Sequence, residues 1–150
     1  MRRFSITLFL ALFGVAFLAA QTKPNFSGTW KLNVERSDFG LFPKPAEGWT
    51  IKMDHHGTEV WTMPAEGPEK KHVIYTDGRK SEVETDEVGR MTITAAWEES
   101  VLVITSKYGE TKQTERWSLS KDGKVWTSIR HLEASIGEGD LKHLYDKQQK

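Results

Sequence analysis

The sequence predicts an all-β fold, an antiparallel up-and-down meander of about eight to ten strands that closes into a barrel, with little helix outside the N-terminal leader. Short β-rich runs alternate with turn signals along the whole chain after residue 21. No stretch in this region carries the sustained apolar stripe of an amphipathic helix. Closure into a barrel is favoured because it removes the exposed edges of so long a sheet.

The predicted strands follow one another with hairpin-length connections. Most of them alternate apolar and polar side chains, as a half-buried strand does. In chain order they span residues 26–34, 49–54, 61–63, 72–76, 79–85, 91–97, 101–106, 114–119, 125–132 and 140–145.

The connections are assigned from glycine, proline and acidic residues. Segment 35–48 is polar and contains Gly40, Pro43 and Pro45, so it is too broken for a long helix. Asp77-Gly78 is a strong signal for a two-residue hairpin. Segment 133–139 is predicted to be a polar loop.

The N-terminus has the layout of a secretory signal peptide. Arg2 and Arg3 precede an uncharged apolar run over residues 4–20, which ends in small residues before the polar Gln21. We expect residues 1–20 to be the signal peptide, cleaved after Ala20, and residues 21–150 to form one exported domain, periplasmic or extracellular, with no membrane span after cleavage. The alternative is an uncleaved anchor, because the run is at the lower limit of about 17 residues for crossing a bilayer.

Composition excludes several classes of function. The chain of 150 residues has 21 basic and 21 acidic side chains, and removal of the leader leaves 19 basic against 21 acidic, so no overall field attracts nucleic acid. The absence of cysteine excludes disulfides, thiolate zinc sites and thiol catalysis. No nucleophile elbow or phosphate loop is present, so we expect no enzyme activity and no cofactor. A monomer is expected.

Histidines provide no convincing metal site. His55 and His56 are neighbours on a predicted strand and therefore point to opposite faces, where they cannot chelate one ion together. No His-Glu-x-x-His pattern accompanies them. We predict no bound metal.

Residues 26–32 at the first predicted strand read FSGTWKL. This run resembles the first strand of fatty-acid-binding proteins and lipocalins, families that begin with a glycine, one residue and a tryptophan that closes the barrel floor. The chain also looks like small exported bacterial proteins of unassigned function, often called lipocalin-like, through GTWKLN at 28–33, YTDG at 75–78 and YDKQ at 145–148. The resemblance implies a lipocalin-like barrel with Gly28 and Trp30 at its floor.

Trp30 is interpreted as a floor plug stacked against a basic side chain from a late strand. Arg130, near the end of its predicted strand, is the candidate partner, because a guanidinium is attracted to an indole face. In the alternative interpretation, Arg130 points into a cavity and binds an anionic head group. The other tryptophans suit either a core or a ligand cavity. We include Trp97, expected on one face with Met91, Ile93 and Ala95, and Trp117 among the candidate ligand contacts.

The closing strand carries the remaining candidates. Fatty-acid-binding proteins pair an arginine with a tyrosine two residues later, whereas here the sequence is His143-Leu144-Tyr145. The resemblance implies that His143 and Tyr145 face inward and meet a head group, with carboxylates bound better when the imidazole is protonated. The simpler and preferred interpretation is that Leu144 faces the core and His143 meets solvent.

Two functions from different classes follow. The first is a barrel that binds a small apolar or amphipathic molecule in its cavity through Arg130, His143 and Tyr145. The second is a barrel with a filled interior that binds a protein or envelope partner through its loops or outer face. Cavity volume separates them, because a void of about 300 Å³ or more is the size of a small-molecule site.

Overall fold

Ten antiparallel strands make up the fold. The computed structural model describes residues 22–64, 71–85 and 88–149, and these residues contain no helix. The strands are β1 (Gly28–Leu32), β2 (Thr50–His56), β3 (Glu59–Pro64), β4 (His72–Tyr75), β5 (Ser81–Thr85), β6 (Gly89–Glu98), β7 (Val101–Tyr108), β8 (Thr111–Leu119), β9 (Val125–Ala134) and β10 (Gly137–Lys147). The predicted fold class is confirmed. The predicted leader, residues 1–20, lies outside the described residues.

The strands form one sheet in the order β4-β3-β2-β1-β10-β9-β8-β7-β6-β5. The N-terminal strand pairs with the C-terminal one, with Trp30 opposite Lys147. At the two ends of this order, the bridge between Asp77 and Ala96 brings the segment after β4 against β6, and the Gly78 amide donates to the Ala95 carbonyl at 2.8 Å. The sheet is thus a nearly closed barrel.

The hairpin predicted at Asp77-Gly78 is wrong. β4 and β5 stand at opposite ends of the sheet order instead of pairing through this turn. The Arg79 guanidinium binds the Asp77 carboxylate, with Nε 2.9 Å from Oδ2, and Gly78 takes a φ of 85°. Asp-Gly supplies the positive φ that a tight corner needs, but that corner can also direct the chain to another strand, here β6.

The polar loop predicted over residues 133–139 is also wrong, because β9 and β10 continue into it and leave only a two-residue turn. Its charged side chains lie on the exposed outer face of the sheet. Glu133 Oε1 lies 3.1 Å from Lys112 Nζ, and Glu138 Oε1 lies 3.1 Å from His131 Nε2. Polar composition alone does not exclude a strand whose faces meet solvent.

Segment 35–48 crosses one end of the barrel without a helix, as predicted. Asp38 pairs with Lys142 through two backbone hydrogen bonds of 2.7 and 2.9 Å. Phe39 is buried beside this bridge. The segment therefore anchors an aromatic side chain at the mouth of the barrel. No helix in the described residues is long and apolar enough to cross a membrane.

The opposite end of the barrel is packed with aromatic rings. Trp117 lies edge-on to Trp126 with ring centroids 4.9 Å apart, and Trp126 stacks on Tyr145 at 4.0 Å. Phe26 contacts Trp117 at 5.6 Å. This floor leaves the open space of the barrel at the other end, near Phe39.

Candidate functional site

Trp30 is the centre of the floor. Its side chain is fully buried, and its Nε1 donates to the Phe26 carbonyl at 2.8 Å. The cation over its ring is Lys147, at 5.2 Å from the centroid, and not the expected Arg130. Gly28 lies beneath this lysine, since a Cβ there would come within 2.7 Å of Lys147 Cε. The glycine therefore leaves room for the lysine to cover the indole.

The two tryptophans predicted as ligand contacts lie in or beside the floor. Trp97 faces inward with the other odd-numbered side chains of β6, as predicted, and stacks on Phe26 and His55 at 6.1 Å. The barrel contains two cavities, of about 330 and 240 Å³, and Trp97 lines neither of them. Trp117 lines the smaller cavity and donates from Nε1 to Glu115 Oε1 at 2.6 Å. Trp117 thus donates a hydrogen bond to a buried carboxylate, that of Glu115.

A cavity of about 330 Å³ opens at the mouth of the barrel. Its wall is mostly apolar and aromatic, with three polar side chains from the last strands. Among its lining residues are Phe39, Phe42, Trp49, Leu132 and Leu141, together with Gln113, Arg130 and His143. A second cavity of about 240 Å³ lies deeper and shares Gln113 and Arg130 with the first. The two spaces therefore meet at a polar pair inside an apolar barrel.

Glu115 is the buried acid at this junction. Only 7% of the residue is exposed. Ser128 Oγ donates to Glu115 Oε1 at 2.5 Å, in addition to Trp117, and Gln113 Nε2 donates to Oε2 at 3.4 Å. Arg130 NH2 lies 3.5 Å from both carboxylate oxygens. The carboxylate is held by neutral donors and faces one cation.

Arg130 and His143 each present an unused polar atom. Arg130 Nε and His143 Nε2 are buried, and neither has a hydrogen-bond partner among the described residues. Burying such an atom without a partner costs free energy, and a third buried atom, Trp126 Nε1 in the floor, also lacks a partner among the described residues. His143 and Tyr145 face inward and are 5% and 3% exposed. The preferred expectation, with Leu144 in the core and His143 in solvent, is therefore wrong.

Burial sets the protonation states of the two inward side chains of β10, His143 and Tyr145. Burial lowers the pKa of His143, and the nearby Arg130 charge lowers it further against the smaller opposing effect of Glu115. Burial also raises the pKa of Tyr145 to about 12. Both side chains are therefore neutral near pH 7. The protonated His143 that the sequence hypothesis requires is disfavoured inside the barrel.

Glu115 and Ser128 were not predicted as site residues. The alternation of side chains along β8 predicts that Glu115 faces inward, because it lies two positions from Trp117 on the same strand. The partners depend on register: Glu115 lies opposite Arg130, and Trp117 lies opposite Ser128, on β9. No local pattern in the sequence specifies that pairing.

The histidines behave as separate side chains. His55 faces inward and stacks on Phe26, whereas the exposed His56 lies 2.7 Å from Asp54, so the predicted opposite orientation is confirmed. Within the described ranges, no three histidine, aspartate or glutamate side chains group together as metal ligands.

Buried histidines predict a loss of stability in acid. Burial lowers the pKa of both His143 and His55 below the unfolded value of about 6.5, so below that pH the unfolded chain binds more protons. Stability is therefore expected to fall as the pH falls from about 7 to 5. His131 acts in the opposite direction, because its hydrogen bond to Asp140 raises its pKa and adds stability that is lost as the pH rises.

Urea unfolding at about pH 7.5 and 5 measures this dependence, and His143→Gln removes the contribution of one imidazole. We expect a smaller acid loss in this variant than in the parent. An equal loss in both proteins means that His143 is not the group that titrates.

Comparison with known proteins gives structural likeness only. No family model and no curated sequence matches the chain. A secretory abundant heat soluble protein from Ramazzottius varieornatus superposes with a TM-score of 0.65 at 9% identity, over 87% of this chain and 100% of that one. The zebrafish ileal bile-acid-binding protein complexed with cholic acid gives 0.60 at 15%, over 82% and 98%. The fatty acid transporter REP1-NXSQ gives 0.61 at 13%, over 83% and 96%.

At these identities the likeness concerns the backbone. Each neighbour is matched over nearly its whole length. The chain therefore shares with these solved structures a nearly closed antiparallel β-barrel fold.

Proposed function

We propose that this protein binds a small apolar or amphipathic molecule inside its barrel. The observation that carries the proposal is the mouth cavity, in which an apolar wall surrounds two buried polar atoms that lack partners among the described residues, Arg130 Nε and His143 Nε2. A small-molecule site typically combines such a wall with a few fixed polar groups. The apolar body of the ligand would lie against Phe39, Trp49 and Leu141, and its polar end would reach Arg130.

The size of the cavity supports this proposal over a filled barrel. Its volume of about 330 Å³ exceeds the lower bound of about 300 Å³ for ligand sites. The second space of about 240 Å³ shares Gln113 and Arg130 with the mouth cavity and adds to the open volume inside the barrel. Two of the structural neighbours are named as a bile-acid-binding protein and a fatty acid transporter, which favours binding over catalysis.

Export is part of the proposal and is supported by the leader alone. Arg2 and Arg3 followed by the uncharged residues 4–20 are typical of a signal peptide. The mature chain would begin at Gln21 and meet its ligand outside the cytoplasm.

Native mass spectrometry of the protein purified from its own host tests both the cleavage of the leader and the binding of a small molecule. We expect a chain mass that corresponds to a start at Gln21 and a second mass, released on unfolding, that belongs to one small molecule. A chain that retains residues 1–20 contradicts cleavage of the leader. A protein that carries nothing contradicts a tightly held ligand.

A cavity-filling variant tests the location of binding. Leu132→Trp adds bulk to the wall of the mouth cavity, whereas Ile129→Trp places the same indole on the exposed outer face of the same strand. We expect the first variant to weaken binding of the neutral dye N-phenyl-1-naphthylamine by about tenfold and the second to leave it unchanged. Equal binding by all three proteins places the dye outside the barrel.

The second function, recognition of a protein or envelope partner, stays a prediction. The feature that it would use is the exposed apolar pair at the mouth, Leu41 at 85% and Ile136 at 87%. An empty protein, together with dye binding that does not respond to Leu132→Trp, would favour it.

A further inference from the structure

We propose that the cavity selects an uncharged polar head, such as a hydroxyl, carbonyl or ester, over a carboxylate, because Glu115 cancels the charge of Arg130. This inference rests on the proposed function and specifies its ligand class. Arg130 is the only arginine or lysine that lines either interior cavity in the described part of the chain, and Glu115 is the only acid. The formal charges of these two side chains therefore sum to zero.

The Arg130 guanidinium and the Glu115 carboxylate are near one another at the long end of hydrogen-bonding distance. Arg130 NH2 lies 3.5 Å from both oxygens of Glu115, and the side chains are 32% and 10% exposed. A carboxylate that enters the mouth and approaches Arg130 would also approach Glu115. The attraction between the ligand's carboxylate and the Arg130 guanidinium would then be offset by repulsion from the nearby Glu115 carboxylate. The incoming anion would lose its hydration without a net opposite charge to replace it.

Glu115 cannot easily withdraw to make room for a second carboxylate. Its Oε1 accepts the Trp117 indole N–H at 2.6 Å, from its own strand β8, and the Ser128 hydroxyl at 2.5 Å, from the adjacent β9. Its Oε2 accepts the Gln113 amide at 3.4 Å. Moving the side chain would leave buried donors without acceptors, which costs free energy. The negative charge is thus a fixed part of the site.

The remaining groups at the junction add no positive charge near pH 7. His143 is buried between Phe39 and Trp49, at ring distances of 4.9 and 5.8 Å, which favours its neutral form. Tyr145 stacks on Trp126 in the floor and lines neither cavity, and burial raises its pKa to about 12, so it brings no charge near the junction. His72 lines the deeper cavity on the opposite side of the barrel.

Hydrogen-bonding capacity at the junction remains available although the charge is cancelled. Arg130 Nε and His143 Nε2 are buried without partners in the described residues. The guanidinium can only donate, and a neutral imidazole can donate from Nε2. A hydroxyl or carbonyl oxygen can accept from these groups without bringing a charge into the barrel. The site therefore suits an apolar molecule that ends in a neutral oxygen.

A matched pair of ligands tests the inference. Decanol and decanoate share their chain and differ in the head, and displacement of N-phenyl-1-naphthylamine at about pH 8, where decanoate is ionised, gives both affinities. For the parent protein we expect decanol to bind at least about tenfold more tightly. Glu99→Gln is the control and should keep the same preference, because this exposed residue of the β6–β7 turn lies two residues from Trp97 at the floor end and lines neither cavity.

The Glu115→Gln variant should reverse the preference. The amide oxygen keeps an acceptor for the buried donors but removes the negative charge, so Arg130 becomes an unbalanced cation. We expect decanoate to gain about tenfold or more in affinity, while decanol changes by less than about threefold. An unfolding curve establishes that the Glu115→Gln variant is folded. The comparison of decanol with decanoate in the parent protein does not depend on this variant.

Failure of the inference differs from failure of the proposed function. The preference for a neutral head group is wrong if decanoate binds the parent as tightly as decanol, or if folded Glu115→Gln keeps the parent's ratio of decanol to decanoate affinity. Either result would still leave a barrel that binds a ligand. A dye that neither ligand displaces overturns the proposed function and the inference together.

Discussion

Replacing Trp30 by alanine is expected to lower the free energy of unfolding by about 3–5 kcal/mol, the usual cost of deleting a large aromatic side chain from a core. The indole is fully buried at the floor, where its centroid lies 6.2 Å from that of Trp126. Alanine would leave a void beneath Lys147 and remove the hydrogen bond to the Phe26 carbonyl. Urea unfolding monitored by circular dichroism measures the difference.

Trp49→Ala provides the matched control for this prediction. Trp49 is 44% exposed at the other end of the barrel, so its deletion should cost about 1 kcal/mol or less. Trp30→Phe separates packing from hydrogen bonding, because it keeps a ring and loses the N–H. A loss below about 1 kcal/mol for Trp30→Ala would show that the ring does not close the floor.

The course of the chain follows from local signals in the sequence. Alternation places Met91, Ile93 and Ala95 inside with Trp97, and the barrel has this arrangement. Turns such as the one at Gly57 occur where the glycine predicts them. These signals are local because side-chain alternation and turn geometry depend only on neighbouring residues.

Contacts that depend on register between distant strands could not be predicted in the same way. Lys147 lies over Trp30 because β1 pairs with β10 in the register that places these two residues opposite one another. The sequence separation of this pair leaves no local pattern that would prefer Lys147 to Arg130. For the same reason Asp77-Gly78 predicts a corner but not the strand to which the corner leads, which is β6.

The buried acid shows how register creates the site. Glu115 occupies an inward position that alternation assigns to β8, but a glutamate there is stable only if donors from β9 meet it. The observed pairing supplies Arg130 directly opposite and Ser128 two residues away. Sequence alone could indicate the face and not the partners.

Replacing Glu115 by leucine is expected to destabilise the fold by about 3 kcal/mol, at the lower end of the 3–5 kcal/mol for breaking a buried ion pair. The lower end applies because the Arg130 side chain is 32% exposed, so water screens part of its charge. The larger part of the cost comes from Trp117 Nε1 and Ser128 Oγ, which lose their acceptor inside the barrel. Glu115→Gln keeps an acceptor for both and should cost only about 1 kcal/mol.

Two further variants distinguish a buried network from a simple loss of charge. Glu133→Leu removes an exposed acid on the neighbouring strand, whose pair with Lys112 is about half exposed, and should cost less than about 1 kcal/mol. In the double variant Glu115→Leu with Arg130→Met, no buried charge is left unpaired. Its cost should fall below the sum of the two single costs by about 1–3 kcal/mol. If the costs of the two single variants simply add, Arg130 and Glu115 do not interact in the folded protein. The charge of Arg130 would then be balanced by solvent and not by Glu115.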